Sequence, residues 1–465
     1  MKIFSKRYKY HLIRNLEIAI PVSISQLGHI LVGNVDTAVS GKWLGENALH
    51  SATLAYTIFW VLMIFGIGAS IGATSLIAQA DGEENKNEIK SLLMHSCVVD
   101  FLIGVFITVM MICSIYVYPY ISDKPHIIKD AIPFGIILSF SMIPIMMYQV
   151  FKQFMEGLAI TRQATLISLT SNVVNVVFIV VLTFGWAGLP EMGLNGIAWA
   201  TFIARLYMLA AIVVFFLRDA RFRFYRNAFS DVPIRMQKIF SLLRMSVPMG
   251  MQMALEAGAF SFAAILVGYI GTNEVAAHQV ALSMAAVTYM ISSGLAASAN
   301  VRVGYEFGRK DYEQLWMAGI SNVHMALVLM GTFALMFILL RSFLPWLYSD
   351  NTIVISMASS LLFICAMFQI SDGVQATLLG ALRGIGDVKI PTLLVLCGYW
   401  AFGLPLGWFL AFRMNMNVFG IWYGLLMALT CIAITLYLRF RIKVRALKKN
   451  HSMPIQLYKT FIYDR

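Results

Sequence analysis

The chain alternates long apolar runs with short patches of charge. A helix needs about 20 apolar residues to cross the hydrocarbon of a bilayer. Twelve runs reach that length, at 16–40, 52–80, 91–118, 130–151, 163–187, 193–217, 243–270, 276–302, 315–341, 353–381, 391–412 and 416–438. Several are longer, which leaves room for tilt or a kink. A spanning segment must satisfy its own backbone, and nothing in the chain shows the weak alternation of barrel strands. Each run therefore predicts a helix.

The charged patches between the runs are lopsided. Twelve spans place both termini on one side. Of the 35 lysines and arginines, Lys42, Lys124, Lys129, Arg341 and Arg413 fall on the other side and Arg205 lies within a span, which leaves 29 on the side of the termini. Such a bias marks the cytoplasmic face. The net charge of +12 then reports topology and gives no call for nucleic acid as a partner. The basic head MKIFSKRYKYHLIR runs straight into the first span without a signal-cleavage pattern. Composition agrees with a multi-pass membrane protein: 59% of residues are hydrophobic and 12% charged, against about 45–50% and about 25% in soluble domains. The five cysteines, Cys97, Cys113, Cys365, Cys397 and Cys431, all fall in apolar runs and read as small core residues.

The chain also repeats itself. KWLGENALHSATLAYT resembles GYIGTNEVAAHQVALS at an offset of 226, and Gly68 and Gly82 map onto Gly294 and Gly308 at the same offset. GLAITRQATL maps onto GIGDVKIPTL, and Pro21 onto Pro248, at 227. The expected fold is an all-α membrane protein with 12 transmembrane helices in two six-helix lobes related by a parallel internal repeat. Residues 1–217 would form the N-terminal lobe, 218–242 a cytoplasmic linker, 243–440 the C-terminal lobe and 441–465 a cytoplasmic tail. Two lobes around a cleft suit an alternating-access carrier, for which a single chain suffices. No HExxH, Walker GxxxxGK[ST], DDxxD or GxSxG stretch supplies a reactive cluster or a nucleotide site. Enzyme chemistry is not indicated, no cofactor is implied, and energy would come from an ion gradient.

Charges inside spans are costly and mark function by default. The candidates are Asp36, Asp100, Arg205, Glu256 and Asp372. Glu256 lies 12 residues past Arg244 and Asp372 lies 11 before Arg383. At about 1.5 Å per residue both sit roughly 17–18 Å from the cytoplasmic edge, near mid-membrane. Asp36, six residues before Lys42, falls in the outer half. Ser25, His29, Asp36 and Ser40 share one helical face. Gln252 precedes Glu256 by one turn, Gln369 and Gln375 flank Asp372, and Ser168, Asn172 and Asn175 form a stripe on span 5. Such stripes face a wet interior or another helix. Low-dielectric surroundings disfavour a charged carboxylate, so these acids are suited to carry a proton; with amide or hydroxyl neighbours the same oxygens suit Na⁺. Asp36, Glu256, Asp372, Asn172 and Asn175 are the candidate cation or proton sites, with Na⁺ at Asp36 or at Glu256 and Asp372. Ser25, His29, Gln252 and Gln375 are candidates for a substrate cleft.

Structural alternatives stand beside each reading. Asp36 has a possible salt-bridge partner in Arg205, which reads first as a counter-charge and second as a substrate ligand. Glu256 and Asp372 would also fit a buried network, and the asparagines plain interhelical bonding. Asp100 reads as structural or water-exposed. His29 is placed to share a proton with Asp36 or to be a bonded core histidine; His95, His278 and His324 carry no assignment. The 28 methionines are mostly filler, some suited to an adaptable cleft.

PVSISQLGHILVGNVDTAVSGKWLG, PMGMQMALEAGAF and FQISDGVQATLLGALRGIGDVKIPT resemble the multidrug and toxic compound extrusion (MATE) family, in its NorM-like bacterial branch, over roughly residues 15–440. The resemblance implies a cation-coupled antiporter, driven by Na⁺ or H⁺, that exports organic and often cationic drugs from the bacterial inner membrane, as a monomer with both termini cytoplasmic. The family's essential acids fall on Asp36, Glu256 and Asp372, and its span-5 asparagines on Asn172 and Asn175. Some NorM-like members carry a tyrosine one turn before the span-10 acid; Phe368 stands there and offers no hydroxyl. A related reading is a flippase for lipid-linked saccharides, which would want more cations in the cavity than Arg205 alone.

Overall fold

The computed structural model describes residues 6–121, 124–188 and 190–451; within them, the side chains of residues 29–32, 34, 37–38, 42, 187, 450 and 451 lie outside the description. The described residues are helical, with no strand among them. Among the described residues, eleven helices are long and apolar enough to cross a membrane: α2 (Glu46–Gly82), α3 (Lys86–Ile121), α4 (Pro125–Gly157), α5 (Arg162–Thr183), α6 (Leu194–Arg218), α7 (Met236–Gly268), α8 (Thr272–Gly308), α9 (Tyr312–Leu340), α10 (Thr352–Gly384), α11 (Lys389–Arg413) and α12, described as Asn417–Lys449. The helix α1 (Lys6–Lys42) occupies the place of the first expected span.

Local chemistry sets many of the ends. The side chain of Asn85 accepts the Glu88 N–H and starts α3, Asp311 accepts from Gln314 and starts α9, and Asn351 accepts from Ile353 and starts α10. Each satisfies an amide that the first helical turn leaves open. Pro21 and Pro248 sit inside α1 and α7, and the Thr165 hydroxyl of α5 donates to the Pro21 carbonyl at 2.8 Å.

The helices outrun the apolar stretches. α2 and α8 are each 37 residues, about 55 Å at 1.5 Å per residue, well beyond an apolar core of about 30 Å. Lys152, one residue past the fourth expected run, and Arg302, the last residue of the eighth, lie within α4 and α8. Both are buried, each in an i,i+4 ion pair: Lys152–Glu156 at 3.7 Å and Arg302–Glu306 at 3.6 Å. A stretch of helix that packs on protein can carry a charge inward when its partner lies one turn away.

Contacts divide the chain into two compact units, and the division does not follow chain order. One unit holds residues 20–77 and 85–262; the other holds 1–19, 78–84 and 263–465. In the first, α5 packs along α6 and α3 along the second half of α4. The segment between α6 and α7 is ordered there. Phe222 is buried and stacks on Phe216 at 5.4 Å, Tyr225 meets Phe154 at 5.4 Å, and Lys90 pairs with Asp231 and Lys238 with Glu88. The Arg235 amide donates to His95 Nε2 at 3.0 Å, while His95 Nδ1 bonds the Ser91 carbonyl at 2.7 Å. Outside the membrane, the Arg221 guanidinium and amide hold the Asp219 carboxyl down to about 2, and Lys90 lowers Asp231. In the second unit α10 is central, packed by α8, α9 and α12.

Candidate functional site

The first unit gathers the polar side chains that the apolar code would exclude. Asp36, 4% exposed on α1, accepts the Tyr56 hydroxyl of α2 on Oδ2 at 3.0 Å; its Oδ1 is buried without a hydrogen-bond partner. Thr201 of α6 faces the same carboxyl and accepts from Asn175 Nδ2 at 3.3 Å. Asn175 Oδ1 is likewise buried and unpartnered. Two orphaned oxygens in one small network are an unmet demand for a donor or a cation, because a buried polar atom without a partner costs roughly 1–3 kcal/mol.

Arg205 of α6 lies within electrostatic reach of Asp36, yet no ion pair of 4.0 Å or less joins them among the described residues. Its guanidinium donates to the Ser141 hydroxyl at 2.6 Å, lies against the sulfurs of Met142 (3.7 Å) and Met63 (3.5 Å), and sits 5.0 Å from the Phe59 ring centroid. Ser141 marks the break inside α4, between helical stretches Pro125–Phe140 and Met142–Gly157, which turns its hydroxyl toward the arginine. Arg205 is thus a nearby counter-charge held by soft and aromatic groups, not a salt-bridge anchor.

The span-5 stripe divides. Asn175 belongs to the Asp36 network. Asn172 instead donates to the Gly28 carbonyl at 3.0 Å, an interhelical bond between α5 and α1. The hydroxyls of Ser25 and Ser168 are buried without hydrogen-bond partners. The side chain of His29 lies outside the described residues. Gln252 and Glu256, one turn apart on α7, are both buried in the first unit. Asp100, read from the sequence as structural or water-exposed, is 2% exposed; it faces Ser70, and its Oδ2 has no hydrogen-bond partner.

Asp372 belongs to the second unit, on α10, and is 4% exposed. Gln375 is buried and accepts the Tyr399 hydroxyl at 3.3 Å. Phe368 is buried edge-on to Trp422 at 5.5 Å, whose indole N–H donates to His278 Nδ1 at 3.1 Å. The neighbour Ser371 shares a 2.9 Å hydrogen bond with Thr430 of α12. The packing therefore assigns Glu256 and Asp372 to different units.

Sequence reasoning missed Tyr56, Thr201 and Ser141. Tyr56 lies 20 residues from Asp36 on the neighbouring helix, and single hydroxyls in an apolar run carry no periodic signal.

The MatE family model matches the chain twice, over residues 21–181 and 248–409, in the register of the internal repeat. The chain is 30% identical over 439 residues to the probable multidrug resistance protein NorM of Bradyrhizobium diazoefficiens, covering 94% of each. It is 30% identical over 431 residues to a protein of the same name from Xylella fastidiosa, covering 92% of this chain and 91% of the relative. Its fold is similar to the crystal structure of the eukaryotic MATE transporter AtDTX14, with TM-score 0.85 at 21% identity, covering 96% of this chain and all of that one. It is also similar to an outward-facing multidrug resistance MATE family transporter, with TM-score 0.86 at 18% identity, covering 96% and 99%.

Proposed function

Because the chain belongs to the MatE family, whose model spans both of its halves, we propose that it is a multidrug efflux transporter exchanging organic, often cationic, compounds for Na⁺ or H⁺ by alternating access. Two similar relatives are named as multidrug resistance proteins. The observation that carries the reading is the Asp36 carboxyl, buried in a membrane-length helix with one oxygen on Tyr56 and the other open beside Thr201 and Asn175. A carboxylate kept there is placed to accept a proton or Na⁺ at that oxygen.

The cycle follows from that demand. A proton or Na⁺ from outside reaches Asp36, Glu256 or Asp372, its arrival changes which arrangement of the carrier is stable, and the drug is released. The carrier turns, gives the cation to the cytoplasm and accepts a new drug. For Na⁺, the first unit has carboxyl, phenol, hydroxyl and amide oxygens to offer. Phe368, one turn before Asp372, brings no hydroxyl and packs on Trp422, which favours a proton there. The carrier works as a monomer in the bacterial inner membrane with both termini in the cytoplasm, a reading that the 29-to-five charge bias supports. A lipid-saccharide flippase would need free cations for phosphate, whereas Arg205 is already enclosed by Ser141, two methionines and Phe59. The test is ethidium efflux from proteoliposomes under a sodium gradient alone and a pH gradient alone. One gradient at least should drive efflux, and movement indifferent to both would overturn the reading.

A further inference from the structure

The ends of α2 and α8 meet in a contact that the internal repeat makes reciprocal. Both segments, residues 78–84 and the end of α8, belong to the same compact unit. A Cβ built on Gly82 would fall 2.0 Å from the Tyr305 carbonyl oxygen and 3.1 Å from the Arg309 amide; a Cβ on Gly308 would fall 2.0 Å from the Gln79 carbonyl oxygen and 3.1 Å from the Glu83 amide. Gln79, Gly82 and Glu83 become Tyr305, Gly308 and Arg309 under the offset of 226, so each contact is the image of the other. The likeness continues past the helices. Glu84 and Lys310 both turn the chain with positive φ, 55° and 59°, and Asn85 and Asp311 both cap the next helix.

The two turns carry opposite charge. Glu83 and Glu84 of the first become Arg309 and Lys310 of the second, and these four with the two glycines line one open space. Among the described residues no ion pair crosses it; Arg309 pairs within its own helix, with Glu306 at 3.8 Å. Opposite charges facing across water give weak attraction and orientation. The steep term is steric. Backbone lies against backbone where no side-chain carbon fits, so a side chain at either glycine must push the two helix ends apart.

We infer that Gly82 and Gly308 form a clasp, one jaw from each repeat, that closes the cytoplasmic side of the carrier and parts once in every transport cycle. The inference rests on the alternating-access reading. It adds where the closed state is locked and why any side chain at either jaw keeps it open.

The experiment uses the full chain with spin labels at Glu84→Cys and Lys310→Cys, the five native cysteines replaced, in nanodiscs. The glycine background should show a short-distance population, and Gly82→Ala or Gly308→Ala should reduce it at least fivefold. An unchanged distance distribution in a folded alanine variant overturns the clasp. Because alanine at a helix contact can impair folding, a second measurement leaves both glycines in place. A short, cleavable thiol crosslinker joining positions 84 and 310 should cut ethidium efflux at least tenfold, with recovery on cleavage and no effect on either single cysteine variant. Undiminished efflux by the joined carrier also overturns it. If the unjoined carrier moves no drug yet the distances respond to Gly308→Ala, the clasp stands and the substrate reading fails.

Discussion

The two repeats share a scaffold and differ in chemistry. At the offset of 227 that relates Pro21 to Pro248, Asp36 corresponds to Ala263 and Asp372 to Ile145. Asp36 has a phenol bonded to one oxygen, Thr201 and Asn175 beside it, and Arg205 within electrostatic reach. The stretch around Asp372 has glutamines, a phenylalanine closed against tryptophan, and a tyrosine committed to Gln375. Duplication kept the caps, prolines and glycine contacts that position helices, and left each half to acquire its own acid. The difference teaches that an acid bonded to a phenol with an arginine in reach, and an acid on a stretch of glutamines, need not handle a cation alike.

The largest effect should break the comparison outright. Asp36→Asn should bring efflux in a hypersensitive host down to background at equal expression, while the isolated protein keeps its melting temperature within a few degrees. Retained resistance would remove Asp36 from coupling. Next, Tyr56→Phe deletes the one hydroxyl bonded to Asp36 Oδ2. A hydrogen bond to a charged group is worth about 1.5–3 kcal/mol, so the half-saturating concentration of the coupling ion should change by about tenfold or more, with maximal efflux less affected. An unchanged ion dependence would show that the phenol only packs.

Two variants sharpen the contrast more gently. Arg205→Met removes a positive charge from the Asp36 neighbourhood and leaves an apolar stem among Met63, Met142 and Phe59. At an effective dielectric of about 20, a unit charge a few ångströms away is worth roughly 1–3 kcal/mol. Cation binding in the first unit should therefore tighten by about fivefold or more, measured by sodium or ethidium protection of a labelled carrier. Phe368→Tyr supplies the missing hydroxyl one turn before Asp372. It should add a sodium response to efflux and, if the hydroxyl finds no partner in its buried seat, lower stability by about 1–3 kcal/mol.

Much of this was legible in the sequence. The apolar runs located every described span, because a bilayer imposes length and hydropathy directly, and the lone carboxylates stood out against that background. What stayed hidden depends on the rotation of one helix against another. Nothing along the chain distinguishes Tyr56, which meets Asp36, from Tyr207, which meets Thr170 at 3.0 Å. The expected runs stop at or just before Arg302 and Lys152 because a charge ends an apolar run, yet α4 and α8 continue past them, with Glu156 and Glu306 one turn on. The segment between the repeats read as a basic linker; Phe222 and Tyr225, which pin it, are outnumbered there by arginines.

The smallest effect concerns that linker and separates surface titration from buried chemistry. Arg221 holds the Asp219 carboxyl down to about 2, and Lys90 with Ser230 lowers Asp231. A carboxyl held below its ordinary value of about 3.9 stabilises the folded linker above that pH, and the contribution is lost as pH falls through the lowered value. Limited proteolysis of the 219–235 segment should therefore be flat from pH 8 to 5 and accelerate only below about pH 4, with Lys90→Ala raising cleavage across the flat range and weakening the acid response. It follows that any pH dependence of efflux between 5 and 8 does not arise from these linker pairs. If proteolysis and efflux instead change together across that range, the linker, and not the acid of either repeat, would be the element that senses protons.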